Sequence, residues 1–349
     1  MINKKLIFYF STFFITYLLY VYPIYMLSHL LFDTVFFNIS SVFFLIGIYA
    51  VITYYYKSSS TFFLFKWIAN DLLGIGFITF FLLNTILIIG FFLSLNNAML
   101  GLLSISIVIL VLIFSFYNSS LIKIKTIKLH SKKIQKKKKI IFISDIHLGT
   151  NSTKHLLKIV SKINQLDFDM LLIGGDMIDS NSFKMDNLKY FNRILKPIYY
   201  VSGNHEYYLL NFEDKFLKLS KFNIKFLNNQ ALIIDDINLI GVSDNISLKQ
   251  KVNFIKDNSK KNAFNLILIH KPNVWEDVNL YSDLMLSGHT HNGQIFPFNL
   301  LVKLQFKYIY GLYKEKASRL YVFSGIGCWG PKMRIGSNNE IVQIHINPK

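Results

Sequence analysis

The sequence predicts an N-terminal four-helix transmembrane bundle followed by an α/β domain, in which two packed mixed β-sheets are flanked by helices as an α/β/β/α sandwich. Three observations predict it. Four apolar runs of membrane-spanning length fill the first third of the chain. From Ile140 onward, short β-rich runs alternate with helical periods. Polar residues able to bind metal follow one apolar β run after another.

The apolar runs cover residues 6–27, 35–56, 72–94 and 99–117. Each is near the ~20 residues that a helix needs to cross a bilayer core. Short polar links at 29–33, 57–60 and 96–97 separate them. The first run is longer than the apolar core of a secretory signal, lacks a small-residue cleavage site and precedes three more runs, so it reads as a span. Asp71 and Lys66 sit near an end of a run and no ion path is visible, which favours an anchor over a transporter.

Charge gives the orientation. Of the formal +18, residues 1–139 carry +11, from 13 lysines against Asp33 and Asp71. Lys4 and Lys5 precede the first run, Lys57 and Lys66 fall between the second and third, and nine lysines from Lys123 to Lys139 follow the fourth. The other two links have no Lys or Arg, so the positive-inside rule predicts a multi-pass protein of the cell (inner) membrane with its N-terminus and C-terminal domain in the cytoplasm. The domains read as 1–120 for the spans, 121–139 for a basic juxtamembrane linker and 140–349 for the α/β domain. Such a linker would either lie on the anionic leaflet, where each Lys contributes ~1 kcal/mol, or be a solvated stop-transfer flank. The chain has three arginines and no basic patch interleaved with aromatics, which argues against nucleic acid as a partner and for the bilayer. Its single cysteine, Cys328, excludes an internal disulfide and a Cys-based zinc site.

In the second half, 140–144 reads as a buried strand, 153–165 as a helix with apolar residues at Leu156, Leu157, Val160 and Ile163, and 170–173 as a second strand. Residues 188–195 look helical, 198–201 form a third strand and 211–220 are again helical. Later strands are expected at 239–242, 266–269, 284–286, 321–323 and 341–346. The β–α alternation implies a largely parallel sheet, and ligands of such sheets collect beyond the carboxyl ends of the strands.

Those ends carry the chemistry. Asp145 and His147 follow the first strand, Asp176 the second, Asn204, His205 and Glu206 the third, His270 a fourth, and His289 and His291 a fifth. Each motif alone is weak, but all of them at strand ends point to one cleft. Alternate positions such as 145 and 147, or 289 and 291, project to one side of an extended segment. Mixed imidazole nitrogen and carboxylate or amide oxygen suits Mn²⁺, Fe or Zn²⁺ better than Ca²⁺ or Mg²⁺.

The ordered run Asp145-x-His147, Gly175-Asp176-x-x-Asp179, Gly203-Asn204-His205-Glu206, His270, Gly288-His289-x-His291 resembles the signature of the calcineurin-like metallophosphoesterases, over nearly all of residues 139–349. The tail segments SGHTHNGQIFP, YGLYK and LYVFSGIGCWGPKMRIG are similar to the bacterial membrane-associated branch, while SNNEI at 337–341 departs from the Pro-rich step found in relatives. The resemblance implies a binuclear centre of two divalent ions. Asp145, His147 and His291 would hold the first, Asn204, His270 and His289 the second, and Asp176 would bridge. His205 would stand over the scissile phosphate as the catalytic group, with Asp179 and Glu206 orienting the ligands or His205. Arg334, in a Gly-bounded turn, is a candidate contact for substrate phosphate or else a surface arginine.

The activity so implied is hydrolysis of a phosphodiester or pyrophosphate bond by a metal-bridging hydroxide, attacking in line with the leaving oxygen. The membrane anchor suggests a membrane-associated lipid substrate, and the resemblance implies that it could be a nucleotide-linked lipid. The alternatives are a soluble nucleotide or nucleic-acid phosphodiesterase, or a non-catalytic membrane sensor that retains the metal fold.

Overall fold

The computed structural model describes residues 4–34, 38–58 and 62–349. The chain divides into two compact units, one of residues 1–118 with 330–333, the other of 119–329 with 334–349.

Among the described residues of the first unit, four helices are long and apolar enough to cross a membrane: Lys5–Phe32, Ile39–Lys57, Leu64–Phe92 and Asn97–Ser120. They match the four expected runs. The start expected at 35 falls among residues 35–37, and part of the expected 57–60 link among residues 59–61, both outside the described residues. The third helix starts at Leu64, earlier than expected, and takes Lys66 and Asp71 into its first turns. The first and third helices each carry one π-turn, at Tyr17–Val21 and Ile68–Leu72. Tyr20 Oη donates to the Ile68 carbonyl at 2.9 Å, and Tyr22 Oη to Asn84 Oδ1 at 2.8 Å. Gly76 lets these helices approach, since a Cβ there would collide with the Leu19 carbonyl. Large apolar side chains such as Phe10, Phe91, Phe92 and Leu110 stay exposed, as expected of residues that face lipid.

The second unit holds two six-stranded sheets. The first contains β1 (Ile122–Ser131), β2 (Lys138–Ile143), β3 (Met170–Ile173), β4 (Ile198–Tyr200), β5 (Ile224–Phe226) and β12 (Asn339–Pro348), in the order β1-β12-β2-β3-β4-β5. The second contains β6 (Gln230–Ile234), β7 (Ile237–Val242), β8 (Phe264–Ile269), β9 (Leu284–Ser287), β10 (Gly311–Glu315) and β11 (Ser318–Val322), in the order β10-β11-β9-β8-β7-β6. In the first sheet β2 to β5 are mutually parallel, and in the second β7, β8, β9 and β11 are.

Side-chain alternation along the second sheet sets the layers. Leu239, Leu266, Leu268, Leu284, Leu286 and Tyr321 join Ile141, Phe142 and Ile344 in the main core, where the Phe142 and Phe323 rings meet at 5.2 Å. The alternate residues Ile240, Val242, Ile267, Ile269, Met285 and Val322 pack with Ile255, Trp275 and Val278, which come from helices. The first sheet is covered by Leu156, Ile159, Val160 and Ile163 of helix Thr153–Ile163 and by Leu188 and Phe191. The two sheets with helices outside form the expected sandwich.

Three local expectations need correction, and two further elements appear. Residues 121–139 are not simply a linker, because they contain β1, paired in parallel along its whole length with β12. Ile122, Ile127 and Leu129 are buried in the core, Lys123 and Lys128 are exposed, and Lys125 is half-buried with its Nζ over the Tyr310 ring. The 188–195 segment is a 3₁₀ helix, Met185–Arg193, and 211–220 splits into helix Phe212–Leu217 and a 3₁₀ segment, Lys218–Phe222. Helix Leu248–Asn258 starts with a capping box in which Ser247 and Gln250 satisfy each other's main-chain N–H groups. The β10–β11 hairpin turns at Lys316, whose φ is +52°.

Candidate metal centre

The carboxyl ends of β2, β3, β4, β8 and β9 bring the predicted residues together. Asp145 Oδ1 lies 3.5 Å from His291 Nε2, and His147 Nε2 lies 3.0 Å from that same atom. A second group forms where Asp176 Oδ2 is 3.1 Å from His270 Nε2 and His289 Nδ1 is 3.2 Å from His270 Nε2. Asp145, His147 and His291 could hold one metal ion, and Asp176, His270 and His289 another. Asp176 Oδ2 also lies 3.9 Å from His147 Nε2 and 3.9 Å from His205 Nε2, which puts it between the groups.

The backbone is bent to achieve this. Asp145, His147, Asp176, His289 and His291 all have positive φ, between +49° and +75°. Such conformations cost on the order of 1–3 kcal/mol each and concentrate at functional sites. The glycines of the motifs serve close approach: a Cβ at Gly203 would collide with Asp176 Oδ1, and one at Gly288 with the Asp145 carboxylate.

A ring of supporting contacts holds the donors. His270 Nδ1 lies 2.9 Å from the Gly174 carbonyl, which aims its Nε2 at Asp176. His147 Nδ1 lies 3.4 Å from Asp179 Oδ2, and Asp179 Oδ1 accepts from the Thr150 N–H. The Glu206 carboxylate accepts from four main-chain N–H groups, those of Asp176, Met177, Ile178 and Gly203, and so ties the β3 and β4 loops together. The His205 N–H donates to Asp176 Oδ1 at 3.0 Å, and the His289 N–H to Asp145 Oδ1 at 3.0 Å. Arg334 is fully buried, not on the surface. Its Nη2 donates to the Gly327 carbonyl at 2.7 Å and lies 3.5 Å from His291 Nδ1.

Electrostatics follows from burial and neighbours. Burial opposes the charge on Asp176, yet the His270 cation beside it holds its carboxyl well below the usual range. His270 itself would be lowered by burial, but Asp176 raises it to about 10. Burial and the His270 charge push His289 down to about 3, and burial with His147 holds His291 well below its ordinary value. Both therefore present lone pairs, the form in which imidazole binds a metal. Burial and the Asp176 carboxylate push Glu206 up to about 7, against its N–H donors.

The donor set fits divalent cations of the Mn²⁺, Fe or Zn²⁺ type. Asn204 Oδ1 is buried and accepts no hydrogen bond, as a carbonyl ligand reserved for a cation would. Asp244 lies outside the sequence motifs but joins the neighbourhood. It follows β7, takes hydrogen bonds from Lys251 and Lys271, and helps sustain the charge on His270. The strand-end rule that located the other donors points to it as well.

Comparison with known proteins agrees. Residues 138–293 match the calcineurin-like phosphoesterase family. An uncharacterized metallophosphoesterase of Helicobacter pylori is 37% identical over 245 residues, covering 65% of this chain and 64% of that one. One of Campylobacter jejuni is 36% identical over 261 residues, covering 71% and 70%. A transmembrane protein with a metallophosphoesterase domain from Danio rerio is 30% identical over 232 residues, covering 59% and 52%. The chain thus spans somewhat less than two thirds of the Helicobacter relative. It belongs to the calcineurin-like metallophosphoesterases, and its four apolar helices make it a membrane protein of that family.

Proposed function

We propose that this chain is a membrane-anchored, metal-dependent phosphoesterase that hydrolyses a phosphodiester or pyrophosphate bond in a membrane-associated, lipid-linked substrate. The observation that carries the reading is the position of Asp176: one carboxylate stands within 3.1 Å of His270 Nε2 and 3.9 Å of His147 Nε2, so a single side chain serves both donor groups. Asp145, His147 and His291 would hold one divalent cation and Asn204, His270 and His289 the other, with Asp176 shared. When bound, such cations supply Lewis-acid stabilisation of phosphoryl charge and lower the pKa of a water toward neutrality.

The chain's own groups do the rest. His205, tied through its N–H to Asp176, turns Nε2 into the site and passes the proton on that atom to the departing ester oxygen. Burial lowers the His205 pKa, so its protonated form is a stronger acid but a smaller fraction of the protein carries that proton at neutral pH. Asp179 orients His147, and Glu206 keeps the β3 and β4 loops at fixed spacing. The burial of Arg334 supports a role exerted through His291, beside which its guanidinium lies. The lysine asymmetry supports a cytoplasmic N-terminus and catalytic domain in the cell membrane.

The test uses the full chain in detergent with Mn²⁺, assayed in parallel on bis(p-nitrophenyl) phosphate, soluble nucleotide diesters and phosphodiester lipids. Turnover abolished by EDTA and restored by Mn²⁺ is expected, with lipid substrates preferred. Absence of turnover on all three classes overturns the hydrolase reading, and a preference for soluble nucleotides overturns the lipid assignment.

A further inference from the structure

His205 is bordered by two exposed aromatic rings. Trp329 lies 6.0 Å from it between centroids at an interplanar angle of 72°, and Tyr208 lies 5.5 Å away at 71°. Trp329 is 53% exposed and Tyr208 is 70% exposed, so neither ring is filling the core.

The placement of Trp329 is built, not incidental. Gln294 clamps its main chain from both sides: the Trp329 N–H donates to Gln294 Oε1 at 2.9 Å, and Gln294 Nε2 donates to the Trp329 carbonyl at 3.0 Å. Gln294 is buried and adopts φ +56° and ψ −54°, a conformation that a residue with a side chain rarely takes. That strain is held by its own carbonyl, which accepts from Ser337 Oγ at 2.6 Å and from the Ile335 N–H at 3.1 Å. A strained, buried amide committed to fixing the backbone of an exposed tryptophan at the mouth of the centre marks a binding feature.

We infer that Trp329, with Tyr208, is a specificity-determining aromatic clamp for a planar ring on the substrate, so that the phosphoester carries a nucleobase-like group on the His205 side. Gln294 is the positioning residue for Trp329. The inference rests on the hydrolase reading, and it narrows the substrate class to nucleoside-linked phosphates. Stacking on an aromatic side chain is tolerant of base identity, so the clamp selects for the presence of a ring and not for one base.

The experiment compares two competitive inhibitors of the full chain in detergent with Mn²⁺, uridine 5′-monophosphate and ribose 5-phosphate, which share the sugar phosphate and carry at C1′ a planar base and a hydroxyl respectively. The wild type is expected to bind the nucleotide about tenfold tighter. Trp329→Ala brings the ratio of inhibition constants close to one, Trp329→Phe keeps most of it, and Tyr208→Ala and Gln294→Ala each lower it. Metal content measured in parallel separates these effects from damage to the centre. A wild-type ratio of one, or a ratio unmoved in Trp329→Ala, overturns the inference. So does a Trp329→Ala change confined to retention on phosphatidylglycerol vesicles, which would make the residue a membrane anchor. Absence of turnover in the wild type sinks the hydrolase reading instead, and the two affinities are then still read by calorimetry.

Discussion

His147 and His291 turn their Nε2 atoms toward each other across 3.0 Å. Two lone pairs at that distance repel, so without a cation one nitrogen must hold a proton. Burial opposes a charge on His147, but its Asp179 partner and the Asp176 carboxylate raise its pKa above the ordinary value, while His291 is held well below. The proton therefore belongs to His147, and a second one belongs to His270, raised to about 10. Loading the centre must displace both. The sign follows: a cation competes with protons, so affinity falls as pH drops and rises until both folded-state pKa values are passed. Near pH 6, titration with Mn²⁺ in weakly buffered solution with an indicator dye is expected to release about two protons as the site fills. Release close to zero would show the imidazoles already neutral.

Asp176 and His205 separate by what each variant loses. Asp176→Ala removes the oxygen common to both donor groups, so elemental analysis is expected to find both metals depleted and turnover lost. His205→Ala removes no proposed ligand. Its metal content is expected to match the wild type, while kcat falls on the order of 10²–10⁴-fold, the usual worth of a positioned proton donor. Equal metal loss in the two variants would make His205 a ligand.

Glu206 tests how the loops are held. Its two oxygens take four main-chain N–H bonds. In Glu206→Gln one oxygen becomes an NH₂ group, which leaves two buried N–H groups facing a donor. At about 1–3 kcal/mol for each unsatisfied group, the loss is on the order of 3 kcal/mol. Thermal unfolding of the metal-free protein is expected to shift down accordingly, with weaker Mn²⁺ binding because Asp176 shares the loop. An unchanged Tm would place the four bonds outside the stability of the fold.

These contacts mark where the sequence was readable. Asp145, His147, Asp176, Asn204, His270, His289 and His291 were visible because each stands directly after an apolar β run, and a parallel sheet collects such positions. The buried strands β2, β3, β8 and β9 were visible for the same reason. The strand β1 was hidden because lysines occupy its exposed positions and made it look like a membrane flank. Helix Leu248–Asn258 was hidden by its polarity, although Ser247 and Gln250 spell a capping box. The contact of Arg334 with His291 and the grip of Gln294 on Trp329 join residues far apart in sequence, and no local pattern encodes them.

The final prediction concerns sidedness, which depends on lysine placement alone. Lys5 lies at the start of the first helix and Lys57 at the end of the second, so with two crossings between them both fall on one side. The lysines beyond Ser120 follow two further crossings and return to that same side. Retaining these charges on the cytoplasmic face is favoured during insertion. A green fluorescent protein fused after Lys349 is therefore expected to fluoresce, and alkaline phosphatase fused there to remain inactive. A fusion of alkaline phosphatase within the 96–97 link, after three crossings, should be active. The reverse pattern would place the metal centre outside the cytoplasm and change which substrates can reach it. Lys125 packs on Tyr310 and Lys133 pairs with Asp283, so replacing only Lys123, Lys128 and Lys132 by glutamine separates charge from fold: mixed fusion activities are expected if the charges set orientation, whereas β1 retains the Ile127 and Leu129 contacts that seat it in the core.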